Sequence, residues 1–375
     1  MQVETLKKRI DNFRQILKLS DIDAFIILSH ENRLYLSGYT GEDGGYDESA
    51  GALIITQNDL ILACDSRYNT QAEAEADLFS IICYEKSFAE KLPLILKSIN
   101  AIRVAFEAER LTFKTYETIQ KKIKQACKGL KSKIELIPDN DLIKNLRIRK
   151  DDHEISMIKK ALKISEDSFL EFKTMIKTDM TEKESAWEFE KLMRDNGADS
   201  LSFDVIAAGG PNSAMPHAIP GDRKFKEQEP LLFDFGVRLN GYCSDTTRTL
   251  TMGKISKKFE KIYNTVFEAQ KRAVALIKPG IKASWIDKAA REYIDSSEFK
   301  GMFGHGLGHG VGIAIHEGPR LSRFDHTCLE PGMVVTVEPG IYIPGWGGIR
   351  LENMVEVTPT GCNVLNTLSY DDYLI

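Results

Sequence analysis

At 375 residues the chain exceeds the usual extent of one hydrophobic core, so two domains are expected. Its 42% hydrophobic and 28% charged residues exclude a disordered chain, and no apolar run reaches the roughly 20 residues of a membrane span. A net charge of -5 leaves no basic footprint for nucleic acid, so neither a membrane nor a nucleic acid is an expected partner.

The chain opens on Val3, Leu6, Ile10, Phe13, Ile16 and Leu17 with charges between them, the pattern of an amphipathic helix and not of a signal peptide. Short apolar runs from Ala24 to Leu28, Ala50 to Thr56, Asp59 to Cys64, Ile81 to Tyr84, Arg103 to Phe106 and Lys133 to Ile137 read as strands. With a helix from Phe113 to Cys127 among them, they predict an α/β domain. The segment Gly38 to Gly45 lacks the G-x-G-x-x-G spacing of a nucleotide cradle and reads as a mobile loop. The Lys-rich stretch from Lys121 to Lys133 carries Ile123, Ala126, Cys127 and Leu130 at helical spacing, which makes it a solvated helix face. The six cysteines (Cys64, Cys83, Cys127, Cys243, Cys328 and Cys362) form no C-x-x-C pair, so free thiols and a cytoplasmic location are expected.

Pro138, Asp139 and Asn140 break the pattern ahead of the charged segment Lys144 to Glu154, and the chain is expected to divide into residues 1–140 and 141–375. A long helix follows, carrying Ile155, Ile158, Leu162, Phe169 and Phe172. Thr181 and Glu184 form a capping box for the next helix, which carries Trp187 and Leu192 and stops at Gly197. A further helix runs from Ser256 to Ile277, and a shorter one restarts near Ser284. Beyond Gly301, glycine, proline and β-branched residues predict strands and loops.

The segment Leu231 to Leu250 holds two strand-like runs joined by Asn240 and Gly241, a strong hairpin signal. Asp234 and Asp245 fall on opposite arms at positions whose sum is odd, so both carboxylates share a face. Each alone reads equally as a turn or cap residue; together on an apolar hairpin they favour a metal, because a lone buried carboxylate is costly. Three of the seven histidines, His305, His309 and His316, lie in a glycine-rich stretch that is no helical zinc motif. Extended geometry places His305 and His309 on one side. Glu338 ends the apolar run Val334 to Val337, where a central strand would take another Val or Ile. Glu352 shares a face with Arg350, and a plain Arg350–Glu352 ion pair is the alternative to a ligand role for it. Four carboxylates in one pocket repel one another by several kcal/mol per close pair unless divalent cations intervene. Oxygen donors with one imidazole and no thiolate suit Mn, Co, Fe or Zn at an open catalytic site. Two ions about 3.5 to 4 Å apart could share a water, lower its pKa and polarise a carbonyl.

Asp234, Asp245, His309, Glu338 and Glu352, set in Gly-Tyr-Cys-Ser-Asp-Thr-Thr-Arg-Thr, His-Gly-Leu-Gly-His-Gly-Val-Gly and Val-Glu-Pro-Gly-Ile-Tyr, resemble the five metal ligands of the pita-bread metallopeptidases. That group includes aminopeptidase P, prolidase and methionine aminopeptidase. The resemblance implies a creatinase-like α/β domain over residues 1–140. It implies a pita-bread catalytic domain over 141–375, with a curved, mostly antiparallel sheet covered by helices. It also implies two divalent ions, Mn first and Co, Zn or Fe after it. Glu338 would then bridge the ions and act as acid and base toward the attacking water, with His316 stabilising the oxyanion. His217 and His305 would position the substrate, and Arg350 and Tyr342 would support the metal-bound carboxylates. Tyr35 to Gly41 and Asp65 to Tyr68 look closer to aminopeptidase P, so the expected substrates are peptides with proline at the second position, cleaved before it. A dipeptide-restricted prolidase is the alternative, and a peptide-binding module on the same fold, as in relatives that lost their ligands, is a third reading. A homodimer is implied by the same resemblance. His30, His153 and His326 match no motif and are read as structural, and Cys243 as a small buried filler.

Overall fold

The computed structural model describes residues 3–45, 48–128, 133–139 and 141–375, and the chain divides into one unit ending at Arg147 and another beginning at Ile148. The expected division lay at 140/141. Leu130 and Asn140, cited above, lie outside the described residues.

The first unit is built on a six-stranded sheet in the order Ser80–Tyr84, Leu60–Asp65, Ala52–Thr56, Ala24–Ile27, Arg103–Glu107, Glu135–Asp139. Ala24–Ile27 pairs antiparallel with Ala52–Thr56 and parallel with Arg103–Glu107, and every residue of it is buried. Continuous apolar runs are what such a central strand requires. The Lys-rich helix Phe113–Ala126 buries Ile119 and Ile123 and leaves most of its lysines to solvent, as its spacing indicated. The loop from Gly38 to Gly45, expected to be mobile, is instead tied down. The buried Arg33 guanidinium donates to the Gly41 carbonyl at 2.9 Å and to Asp43 at 2.8 Å, and the Tyr39 hydroxyl donates to the Ala50 carbonyl at 3.0 Å.

In the second unit the ladders between the described strands are antiparallel. The helices Asp152–Lys173 and Glu182–Asp195 both begin with complete capping boxes, Asp151 with Glu154 and Thr181 with Glu184, so their starts are fixed locally. They pack on the sheet Ile206–Gly209, Leu231–Phe235, Thr246–Leu250 through a knot of aromatics. There Phe172 stacks on Phe189 at 4.6 Å, and Phe169 stacks on Phe235 at 4.9 Å. The helices Lys257–Leu276 and Ala283–Asp295 cover a second core with the strands Val334–Val337, Gly340–Ile343, Gly347–Arg350 and Asn353–Val357. Trp187, placed on a helix by its pattern, faces outward at 64% exposure and takes no part in the core. Among the described residues no helix is long and apolar enough to cross a membrane.

Because Phe172 is fully buried within the aromatic knot, Phe172→Ala should cost about 3–5 kcal/mol through lost burial and the cavity left behind. Urea unfolding of the two proteins measures the difference, and a loss below ~1 kcal/mol would contradict the packing described.

Candidate metal centre

Two hairpins supply the carboxylates. In the first, Asn240 and Gly241 have φ of 50° and 86°, the pair of positive values a two-residue type I′ turn demands. Leu239 pairs with Tyr242 and Asp234 with Thr247, so Asp245 is diagonal to Asp234. The parity of the expectation holds, and both carboxylates point to one side. In the second hairpin Val337 pairs with Asn353 and Gly340 with Arg350, and Leu351 N–H reaches the Pro339 carbonyl at 3.4 Å. That register sets Glu338 opposite Glu352, a like-charge pair that disfavours the sheet unless something lies between them.

His309 comes from the short strand Gly308–Gly310, which pairs with Val334–Val337 and with Glu317–Leu321. A Cβ on Gly308 would stand 2.1 Å from the Thr336 carbonyl, so only glycine permits this approach. His305 does not continue the strand: the chain bends there and at Leu307. The two histidines are therefore not related by simple alternation.

Ligand atoms of Asp245, His309 and Glu352 lie within 4.8 Å of one another. His309 Nδ1 is 3.1 Å from the Gly310 carbonyl, an acceptor only, so Nδ1 carries the proton and Nε2 the lone pair of the neutral ring. That Nε2 lies 3.5 Å from Asp245 Oδ2 and 3.5 Å from Glu338 Oε1. Burial, with the charge of His316, pushes the His309 pKa down to about 4, so the ring is neutral and makes no ion pair with either carboxylate. A lone pair facing two ionised carboxylates is repulsive, so they either hold protons or need a cation among them, which reverses the sign of the interaction.

The carboxylates carry the same signature. Burial and then the charge of Glu352 raise the proton affinity of Asp245; burial and then Glu338 raise that of Glu352. Burial pushes Glu338 up to about 8. Asp234 Oδ2 accepts from Arg350 Nη2 at 2.7 Å, while its Oδ1 is buried with no hydrogen-bond partner. A buried, unpartnered carboxylate oxygen in a ring of oxygen donors is what a hard divalent cation satisfies. These residues therefore fit a metal.

The supporting side chains are equally specific. Arg350 is not paired with Glu352; its guanidinium binds Asp234, the Thr247 hydroxyl at 3.1 Å, the Pro216 carbonyl at 3.1 Å and the Tyr342 hydroxyl at 3.0 Å. The Tyr342 hydroxyl also meets His305 Nε2 at 2.8 Å, and burial raises its pKa to about 12. His305 is pushed down to about 4 by burial and the Arg350 charge. The His316 ring is 4.4 Å from that of His309, its pKa lowered by burial. His217 is exposed, and its charge contributes to the lowered pKa of both His305 and His316. Cys243 is buried with its thiol 3.5 Å from the Ile313 carbonyl, and all six cysteines are free.

Two residues escaped the sequence reading. The Thr247 hydroxyl donates to Glu352 at 2.7 Å, and the Thr336 hydroxyl donates to Glu338 at 3.2 Å. Each stands two residues from an acidic residue in a strand-like segment, Asp245 and Glu338, so period-2 alternation could have found both.

Residues 156–359 match metallopeptidase family M24, and residues 9–148 match the creatinase/prolidase N-terminal domain. The chain is 35% identical over 360 residues to a Xaa-Pro dipeptidase of Pyrococcus furiosus, spanning 96% of this chain and 98% of the relative. A solved Xaa-Pro dipeptidase from Bacillus anthracis superposes with a TM-score of 0.90 at 34% identity, over 99% of this chain and 100% of that one. A solved X-Pro aminopeptidase from Thermotoga maritima superposes at 0.85 with 35% identity, over 96% and 100%.

The shifted carboxylates fix a pH dependence. A carboxyl whose folded-state pKa is raised stabilises the fold while protonated, and that contribution is lost as pH rises toward the folded value, about 8 for Glu338. His305 and His309, lowered to about 4, have the opposite slope, but it ends near their ordinary 6.5. Between pH 6.5 and 8 the metal-free protein should therefore lose thermal stability, and saturating Mn should remove most of that loss. Calorimetry with and without chelator reads it; identical profiles would argue against cation binding by these carboxylates.

Proposed function

The chain belongs to metallopeptidase family M24, and from that membership and the five converging side chains we propose that it hydrolyses Xaa-Pro bonds with two divalent ions held by Asp234, Asp245, His309, Glu338 and Glu352. The observation that carries this reading is the neutral His309 nitrogen standing 3.5 Å from two carboxylate oxygens. When bound, the ions supply a water of lowered pKa and polarise the scissile carbonyl; Mn is the first choice, with Co, Fe and Zn suited to the same donors.

The remaining roles belong to the chain. Glu338 takes the proton of the attacking water and returns it to the proline nitrogen, which as a tertiary amide has no N–H and must be protonated to leave. His316, exposed beside His309, donates to the developing oxyanion. His217 and His305 position the peptide. Arg350 and Tyr342 hold Asp234 in place, so that its free oxygen keeps its direction.

The sequence pattern put the aminopeptidase first. The two Xaa-Pro dipeptidase relatives reverse that order, so the preferred substrate is an Xaa-Pro dipeptide. Cleavage of longer peptides remains the second reading, favoured by the likeness to the Thermotoga maritima enzyme. A module that only binds peptides would not need all five ligand residues. A homodimer, implied by the resemblance, belongs to the same proposal; light scattering at micromolar concentration checks it, and a strict monomer removes it.

Gly-Pro should be cleaved faster than Arg-Pro-Pro in the presence of Mn, with the reverse order deciding for the aminopeptidase. Complete chelation should abolish both activities, and undiminished turnover without metal would refute the proposal. Glu338→Gln should lower kcat by about 10²–10⁴-fold.

A further inference from the structure

Resting on the reading of His305 as a substrate-positioning group, we infer that Asp287 and Arg291 are positioning residues for the reaction. They form a buried ion pair that grips the backbone of residues 303–307 and sets where the His305 ring stands.

Both side chains project from the helix Ala283–Asp295, four residues apart, with side-chain exposures of 1% for Asp287 and 15% for Arg291. Arg291 Nη2 donates to Asp287 Oδ1 at 2.8 Å and Nε to Oδ2 at 3.0 Å, the two-point geometry that fixes both groups. The remaining donors leave the helix. Arg291 Nη1 reaches the Phe303 carbonyl at 2.8 Å, and Nη2 reaches the His305 carbonyl at 2.6 Å. Asp287 Oδ1 accepts the Leu307 N–H at 3.1 Å, a donor it shares with the Leu321 carbonyl at 2.7 Å. The Phe303 ring lies under the guanidinium at 4.3 Å and edge-on to the His305 ring at 5.0 Å. Three alternate backbone groups of a five-residue stretch are thus held by one pair.

Between Phe303 and Leu307, whose side chains are buried in the second core, that stretch has little of its own to hold it. It belongs to no helix or strand, and a Cβ at Gly304 would meet nothing within 4 Å. Stability alone does not call for a buried ion pair, since replacing one by apolar residues is often neutral or favourable. What an apolar pair cannot do is aim donors and an acceptor at three peptide groups, and this one aims them beneath a histidine.

From His305 the contacts run to the metal centre. Its Nδ1 donates to the Gly306 carbonyl at 2.8 Å, which leaves Nε2 to accept the Tyr342 hydroxyl proton at 2.8 Å. The same hydroxyl oxygen accepts from Arg350, which holds Asp234. Leu307, gripped through its N–H, accepts the Glu338 N–H on its carbonyl at 2.8 Å. The pair therefore acts on turnover through the ring of His305 and not by touching substrate.

The test uses the full chain loaded with Mn. Arg291→Met keeps an apolar stem but removes the donors, and should lower kcat/KM for Gly-Pro by about 10–100-fold. With His305→Ala already present, the same substitution should cost only about 2-fold. An equal loss in both backgrounds would mean a general structural role and overturn the inference. Asp287→Asn, which keeps the shape and loses the charge, should show the same coupling and replaces Arg291→Met if that variant does not fold. A second readout does not need turnover: with diamagnetic Zn in place of Mn, ¹⁵N shifts of the His305 ring, assigned through His305→Ala, should show a fixed Nδ1–H tautomer in the natural chain and averaged nitrogens in either clamp variant. Unchanged ring signals would sink the clamp even in an active enzyme. Failure of the natural chain to cleave Gly-Pro and Arg-Pro-Pro would remove the proposed function and leave the ring measurement to decide the clamp.

Discussion

Glu338 and Glu352 face each other across one hairpin, Asp234 and Asp245 stand diagonally across another, and a neutral imidazole turns its lone pair toward them. Burial raises the proton affinity of Asp245, Glu338 and Glu352, and each one's neighbours among the acids raise it further. At an effective dielectric near 20, two such charges about 4 Å apart repel by roughly 4 kcal/mol, so four cannot all be ionised without counter-charge. Arg350 supplies one positive charge and spends its hydrogen bonds on Asp234, Thr247, Tyr342 and Pro216. The remaining negative charge is what divalent cations would neutralise, and the fold around the site is arranged to hold the donors still until they do.

Neighbouring donors fix three of the four carboxylates. Asp234 gives one oxygen to Arg350 and leaves the other unpartnered; Glu352 gives Oε2 to Thr247, and Glu338 gives Oε1 to Thr336. The two hairpins are tied directly, with Glu352 N–H on the Thr247 carbonyl at 3.2 Å and Arg350 N–H on the Thr249 hydroxyl at 3.2 Å. Ligands mounted on or beside strands whose neighbours are strands move less than ligands on loops, which is what a centre needs when a small misplacement costs affinity. The groups expected to meet substrate are mounted differently: His217 follows the exposed Met215 on an irregular segment, and His305 lies on a bend. Candidate metal donors on strands, and substrate contacts on irregular backbone that at His305 is held from outside by the Asp287–Arg291 pair, occupy different kinds of backbone.

Much of this was legible because it depends on period and local chemistry. The apolar runs of the first unit were long enough to mark its strands, the capping box at Thr181 marks a helix start from four residues, and Asn240-Gly241 marks a hairpin. Parity alone then put Asp234 and Asp245 on one face. Parity does not give register, and so the pair proved diagonal. Nor could it show that Glu338 opposes Glu352, which depends on where a distant turn closes, or that Arg350 binds Asp234 in preference to Glu352. Asp287 and Arg291 were invisible for a further reason: on sequence they are an ordinary helical pair four residues apart, and only tertiary structure shows their donors leaving the helix.

The glycines around His309 complete the argument about register. A Cβ on Gly308 would strike the Thr336 carbonyl and one on Gly310 would stand 2.1 Å from the Gly318 carbonyl. Their effect is compression: the strand carrying His309 can enter between its two neighbours only where side chains are absent. Val311 N–H to the Val334 carbonyl, Gly310 opposite Val335, and Glu338 N–H to the Leu307 carbonyl all keep one register along this seam. That register places His309 beside Thr336 and within reach of Glu338, two residues further on. The imidazole therefore reaches the carboxylates because the sheet is pressed together at that point, and the alternating glycines are part of the candidate metal centre although none of them offers it a side-chain ligand atom.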